Sequence, residues 1–172
     1  LISYGAFELY SLINLKNRTA LKIIIMLLCF FEPLYIIFST HPHQQTYFNF
    51  LAGKDPMLNF EGDYYGPSYR QGLEYILEND LSDKILISVA NSPGSLNRHI
   101  LKDKDKKRLV FDFMFKDEVK PDYYITNFRG SVSNYIKAKN GDEPFQNEIH
   151  SITINNKKIL GIYKFSGSSA VD

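Results

Sequence analysis

Residues 19–38, TALKIIIMLLCFFEPLYIIF, form one apolar run as long as the helix needed to cross a ~30 Å hydrocarbon core. A polar, aromatic-rich stretch begins abruptly after it. The run is too long for the apolar part of a signal peptide, and Ser39-Thr40-His41-Pro42 is a poor cleavage site. We expect a transmembrane helix over 19–40. Residues 1–13, LISYGAFELYSLI, are apolar but too short to span, and read as the last turns of an earlier, truncated membrane helix. Residues 14–18, NLKNR, then form a loop between crossings. Lys16, Arg18 and Lys22 cluster there, so the positive-inside tendency puts this loop in the cytoplasm and residues 41–172 outside. Glu32, beside Pro33, interrupts the apolar run. A carboxylate at that depth costs roughly 2.5–3.5 kcal/mol and rarely faces lipid. It either lines a polar cavity or ties two helices together, and both readings require the remaining helices of a larger bundle.

The part after the run has its own chemistry. Of 20 basic and 19 acidic residues, only Lys16, Arg18, Lys22, Glu8 and Glu32 precede residue 41, which leaves 17 of each sign beyond it. A neutral domain is a poor electrostatic match for nucleic acid. The one cysteine, Cys29, lies inside the apolar run, so the rest of the chain has neither a disulfide nor a cysteine metal site. Lack of cysteine fits a bacterial surface domain.

Residues 41–67 are rich in turn signals and punctuated by Tyr and Phe, and we expect an aromatic-anchored connector. A helix is expected from Ser68, with Ser68 as cap and Gln71 reaching back in a capping box. Tyr69, Leu73, Ile76 and Leu77 share one face of it, and it ends near Asn79. Gly72 weakens this helix but allows close packing. KILISVA, 84–90, predicts a buried strand. Ser92-Pro93 predicts a second helix with apolar contacts at Leu96 and Ile100. KDKDKKR, 102–108, is either a phosphate or lipid-headgroup site or a solvated loop whose charges largely cancel. Strands are expected over 108–114 and 122–128. NEIHSITI and KKILGIYKF flank Asn155-Asn156 and predict a hairpin, because Asn tolerates positive φ. Residues 166–172 read as a disordered tail. The fold class is therefore α/β: a transmembrane helix ending a polytopic bundle, then an extracytoplasmic domain over 68–165 with a mixed, partly parallel sheet.

Chemistry-bearing residues are sparse. No Gly-rich phosphate loop follows a strand, and no nucleophile elbow is present. His41 and His43 form an H-x-H pair without a nearby third ligand, so a turn anchored by Pro42 with partly exposed imidazoles is favoured over a metal site. His99 and His150 are isolated. In EGDYYGPSYR, Glu61 and Asp63 are paired carboxylates, Tyr64, Tyr65 and Tyr69 can offer flat faces to a sugar ring, and Arg70 can pair with Asp63 or hold a phosphate. The structural alternative is that Asp63 binds backbone N–H groups in a turn and the tyrosines are core. No cofactor is evident.

HPHQQTYFN after a membrane helix, EGDYYGPSYRQGLEYI, PDYYITNFR and a closing KKILGIYKF together resemble the carboxyl-terminal end of bacterial polytopic glycosyltransferases of the protein-mannosyltransferase type, family 39. The resemblance covers 19–165 and is strongest over His41–Asn49 and Asp63–Arg70. It implies an enzyme of the bacterial inner membrane that moves a sugar, with inversion, from a polyprenyl-phosphate donor to an extracytoplasmic protein, glycan or lipid acceptor. Its catalytic acids are expected in an earlier external loop, so none is carried over, and whether the intact enzyme needs a divalent metal stays open. The partners implied are the bilayer, the lipid-linked sugar and the remaining transmembrane helices. Candidate substrate-binding residues here are Asp63, Tyr64, Tyr69, Arg70, His41 and Asn49. The alternative from another class is a non-catalytic, membrane-anchored module that binds glycan or protein.

Overall fold

A computed structural model describes residues 19–113 and 120–165. The readings of 1–13 and 14–18 as helix end and loop, and of 166–172 as tail, lie outside the described residues. The chain divides into two units, Leu1–His41 and Pro42–Asp172.

In the first unit, helix α1 runs over Thr19–Ser39 with Pro33 inside it. It is long and apolar enough to cross a membrane. Leu27, Leu28, Phe31 and Phe38 are all exposed along it. Past its end, the Thr40 N–H and Oγ1 both bond the Ile36 carbonyl, at 3.0 and 2.7 Å. One of the four carbonyls that a helix end leaves without intrahelical partners is thereby satisfied, by two donors of one residue.

The second unit is a mixed α/β fold on a five-stranded sheet. Its helices are α2 (Ser68–Asn79), α3 (Ser92–Leu96), α4 (Asp103–Lys106) and α5 (Val132–Asn140). Its strands are β1 (Ile85–Val89), β2 (Leu109–Phe113), β3 (Tyr123–Thr126), β4 (Glu148–Ile154) and β5 (Lys157–Lys164). The spatial order is β2-β1-β3-β5-β4. β1 pairs in parallel with β2 and β3, and β5 runs antiparallel to β3 and β4. The parallel part was expected from the helical segments between strands. The hairpin turn also forms as the Asn-Asn pair requires: Asn155 and Asn156 have φ of 48° and 60°.

Side chains alternate between two cores. Ile85, Ile87, Val89, Ile125, Leu160 and Ile162 meet Tyr69, Leu73, Ile76 and Leu77 of α2 on one face. Burial of each such aliphatic side chain contributes about 1.5–3 kcal/mol relative to exposure. Gly72 lets α2 approach closely, since a Cβ there would stand 2.9 Å from Leu160 Cδ2. On the other face, Tyr124, Phe128, Tyr163 and Phe145 pack with Tyr135 and Ala138 of α5 and with Met57.

Several local expectations need correcting. The helix from Ser92 is only five residues, and Asn97–Ile100 continues as a 3₁₀ turn that leaves Leu96 and Ile100 largely exposed. Residues 103–106 are a helical turn rather than a loop. The telling charge of that segment is Arg108. Its guanidinium donates to the carbonyls of Leu77 (3.2 Å), Ser82 (3.0 Å) and Asp80, and so caps the end of α2. α5 was not anticipated. Ser131 Oγ caps it by accepting from Asn134 N at 3.2 Å, and Gly141 ends it at φ 74°.

Candidate functional site

β1 lies between β2 and β3, so the chain leaves β1 towards one side and later returns to the other. In an open α/β sheet, ligands favour the crevice outside the carboxyl ends of the two strands where this reversal occurs. Here the loops at that edge are Asn91–Gly94 after β1 and Asn127–Gly130 after β3. Asn91 Nδ2 donates to Asn127 Oδ1 at 2.9 Å and joins them. Asn127 Oδ1 also accepts from Tyr69 OH and Arg129 N, both at 3.3 Å. Phe128 takes a φ of 59°, uncommon for an aromatic residue, and its N–H bonds Thr126 Oγ1 at 3.0 Å.

The chain's own Asp63–Gly66 turn occupies the crevice. Asn127 Nδ2 donates to the Asp63 carbonyl at 2.7 Å, and Asn97 Nδ2 to the Gly66 carbonyl at 3.1 Å. A Cβ on Gly66 would stand 2.6 Å from Pro93 Cβ. Gly94 has no spare room either, because a Cβ there would fall 2.8 Å from Val89.

Asp63 is 1% exposed. Its Oδ2 accepts from Ser68 N at 3.2 Å and from Ser68 Oγ, and its Oδ1 from Gln45 Nε2 at 3.1 Å. Asp63 thus supplies the cap expected of Ser68, which is already the first helical residue. A carboxylate at this end also suits the helix dipole. Gln71 closes no capping box. Its Oε1 meets His43 Nε2 at 2.9 Å. His43 is buried rather than partly exposed, and its Nδ1 has no protein partner.

The other sequence candidates separate. Arg70 does not pair with Asp63. Its Nε bonds Glu74 Oε1 at 2.9 Å on the exposed face of α2. Tyr69 is fully buried and has no ring face for a ligand; burial pushes its hydroxyl well above the usual tyrosine range, so it stays a protonated member of the Asn127 network. Asn49 Oδ1 accepts from Leu51 N at 3.1 Å within a turn. His41 is exposed and ends the first unit. Among the described residues, no group of three His, Cys, Asp or Glu side chains is placed to hold a metal ion.

An outer cluster remains above the filled crevice. The Arg129 guanidinium lies 3.9 Å from the centroid of the Tyr64 ring. Arg129 Nε is 3.5 Å from Glu61 Oε2. Tyr64 meets Tyr65 edge-on at 5.1 Å, and Tyr65 is 76% exposed. An arginine held against a ring contributes roughly 0.5–2 kcal/mol. The cluster combines a planar cation, a carboxylate and an open phenol, groups able to hydrogen-bond hydroxyls and stack on an apolar sugar face. The sequence reading named Tyr64 and Glu61 but missed Asn91, Asn127 and Arg129. The available signal was N-F-R-G directly after a buried strand, where α/β loops turn towards ligands.

Compared with protein-family models, curated proteins and solved structures, the chain matches none.

Proposed function

We propose that the chain is part of a multi-pass membrane glycosyltransferase that moves a sugar from a polyprenyl-phosphate donor to an extracytoplasmic acceptor. In this reading α1 crosses the bacterial inner membrane, and residues 41–172 lie outside the cytoplasm as a domain that shapes or caps the sugar site. The observation that carries the reading is the Glu61–Tyr64–Tyr65–Arg129 cluster, an exposed sugar-type surface on a domain that follows an apolar helix. The catalytic acids lie elsewhere in the enzyme, and the chain by itself transfers no sugar.

The test is sugar transfer in membranes carrying the intact enzyme with Tyr64→Ala and Arg129→Ala. We expect at least a tenfold fall in rate, about 1.4 kcal/mol of transition-state stabilisation, with little change in melting temperature. Full transfer in the double variant would remove the cluster from the site. Topology has its own test. With Cys29 replaced, single cysteines at Asn17 and Asn140 are exposed to an impermeant thiol reagent on whole cells. Labelling is expected at Asn140, and labelling at Asn17 alone would reverse the orientation.

The exposed Tyr65 ring favours a second reading, a membrane-anchored module that binds glycan without catalysis. Oligosaccharide binding lost in Tyr65→Ala, with no sugar transfer in membranes carrying the intact protein, would select it.

A further inference from the structure

A second feature lies at the hairpin end of the sheet. A cleft of about 460 Å³ opens between the loop before Met57, helix α5 and the start of β5. Four ammonium groups line it, those of Lys54, Lys139, Lys157 and Lys158, against one lining carboxylate, Asp55. Three independent segments of chain bring these charges together.

The charges are not equivalent. Asp55 is already engaged: Oδ1 accepts from Tyr135 OH at 3.1 Å and Oδ2 from Lys139 Nζ at 2.8 Å. Lys158 Nζ bonds Glu148 Oε2 at 2.5 Å, and the same oxygen accepts from Tyr163 OH at 3.0 Å. Two lysines are therefore neutralised locally. Among the described residues Lys54 and Lys157 have no carboxylate within ion-pair distance, and Lys157 Nζ sits 5.5 Å from the Phe48 ring centroid. Uncompensated ammonium groups repel one another and attract a shared anion. The Asn156 side-chain amide, also in the lining, adds a neutral donor.

We propose that this cleft binds a phosphate-bearing anion of at least two negative charges, held by Lys54 and Lys157 and framed by the Lys139–Asp55–Tyr135 brace. Two uncompensated charges match a phosphate monoester or a pyrophosphate better than a single carboxylate. The cleft falls within the ~300–1,000 Å³ of ligand pockets, so a phosphate fits with the group that carries it. Lysine serves here as a point charge for phosphate oxygens. The site stands apart from the Tyr64–Arg129 cluster, and it survives or fails independently of the glycosyltransferase reading.

The phosphate has two possible sources, a soluble ligand or a lipid headgroup, and one experiment separates them. The full chain in neutral maltoside micelles is titrated with inorganic pyrophosphate, with dihexanoyl phosphatidic acid, and with dihexanoyl phosphatidylcholine as a zwitterionic control. Amide NMR shifts report binding. Saturable shifts at Lys54, Asn156 and Lys157 are expected with half-saturation below about 1 mM. The combined variant Lys54→Gln and Lys157→Gln should weaken binding at least about tenfold, and Lys54→Glu alone should act in the same direction. Lys104→Gln with Lys107→Gln removes two charges elsewhere and should change affinity by less than about twofold. Saturation by pyrophosphate alone assigns a soluble phosphate, saturation by phosphatidic acid alone assigns a headgroup, and saturation by both assigns the phosphate group itself. No saturable shift with either anion, equal losses in the cleft and control variants, or equal binding of phosphatidylcholine overturns the proposal.

Discussion

The Asp63 turn and the lysine cleft both gather polar groups from distant parts of the chain around charge, yet they behave oppositely. In the turn, one buried carboxylate meets only donors and each of its oxygens is used. In the cleft, Lys139 and Lys158 are paired with Asp55 and Glu148, while among the described residues Lys54 and Lys157 have no carboxylate within ion-pair distance. A buried charge with all its partners present is an internal brace, because losing a partner leaves an uncompensated group in a dry place. An exposed excess of one sign contributes little to stability and remains available to something outside the fold.

Substitutions probe that contrast most strongly in the turn. Asp63→Ala should cost about 3 kcal/mol, since it orphans the Ser68 N–H and removes a helix cap. A thermal melt followed by near-ultraviolet circular dichroism should fall by roughly 10 °C. A fall of only a degree or two would show that the turn is not a brace. Arg70→Lys, in the same sequence motif, should stay within about 0.5 kcal/mol, because its partner Glu74 is an exposed i,i+4 neighbour.

Gly66→Ala should come next, at about 1–3 kcal/mol by the same melt. It places a Cβ against Pro93 at a φ of 72°. An unchanged melting temperature would mean that the turn can withdraw from the crevice.

Tyr135→Phe sharpens the cleft side of the comparison. It removes one hydrogen bond to Asp55, worth about 1 kcal/mol. Burial, the Asp55 charge and the bond to Asp55 push the Tyr135 hydroxyl up to about 12. A raised folded-state value means that the contribution is complete below the unfolded tyrosine value near 10, then is lost as pH rises towards 12. The variant should therefore lose less stability than the parent between about pH 10 and 12 in urea titrations. Parallel pH curves would exclude the bond. Burial alone would raise the Asp55 carboxyl, but hydrogen bonds from Lys139 and Tyr135 hold it below its ordinary value. Its contribution is present above the unfolded carboxylate range and lost as pH falls below it.

The smallest effect is expected for Lys54→Gln with Lys157→Gln, within about 0.5 kcal/mol in the same melts. A drop as large as that of Asp63→Ala would make the cleft a second brace.

The strands were legible because KILISVA, RLVFDFM, DYYITNF and the Asn-Asn hairpin each carry a local pattern that agrees with the fold. α2 was legible from Tyr69, Leu73, Ile76 and Leu77, which share one face. α5 was missed because VSNYIKAKN buries only Tyr135 and Ala138, too few apolar positions to repeat at helical spacing. The candidate site was read less well because its pairings are long-range. Asp63 and Arg70 are close in sequence and promise an ion pair, but α2 turns Arg70 outward while Asp63 faces Ser68 and Gln45. Asn91, Asn127 and the cleft lysines come together only once the sheet has assembled, and no local spacing announces that.

The strand order carries a consequence for how the chain is made. β3 sits in the middle of the sheet, yet one of its two edges is completed by β5, the last described strand in chain order. At a synthesis rate of about 5–20 residues per second, that edge stands open for a few seconds after β3 emerges. During that interval its unpaired N–H and C=O groups are a template for foreign strands. The Asn155–Asn156 turn shortens the hazard, because a hairpin closes in about 1–10 μs once both its arms are free. β5 then arrives at β3 already paired with β4, and the nascent sheet is sealed by a preassembled ribbon.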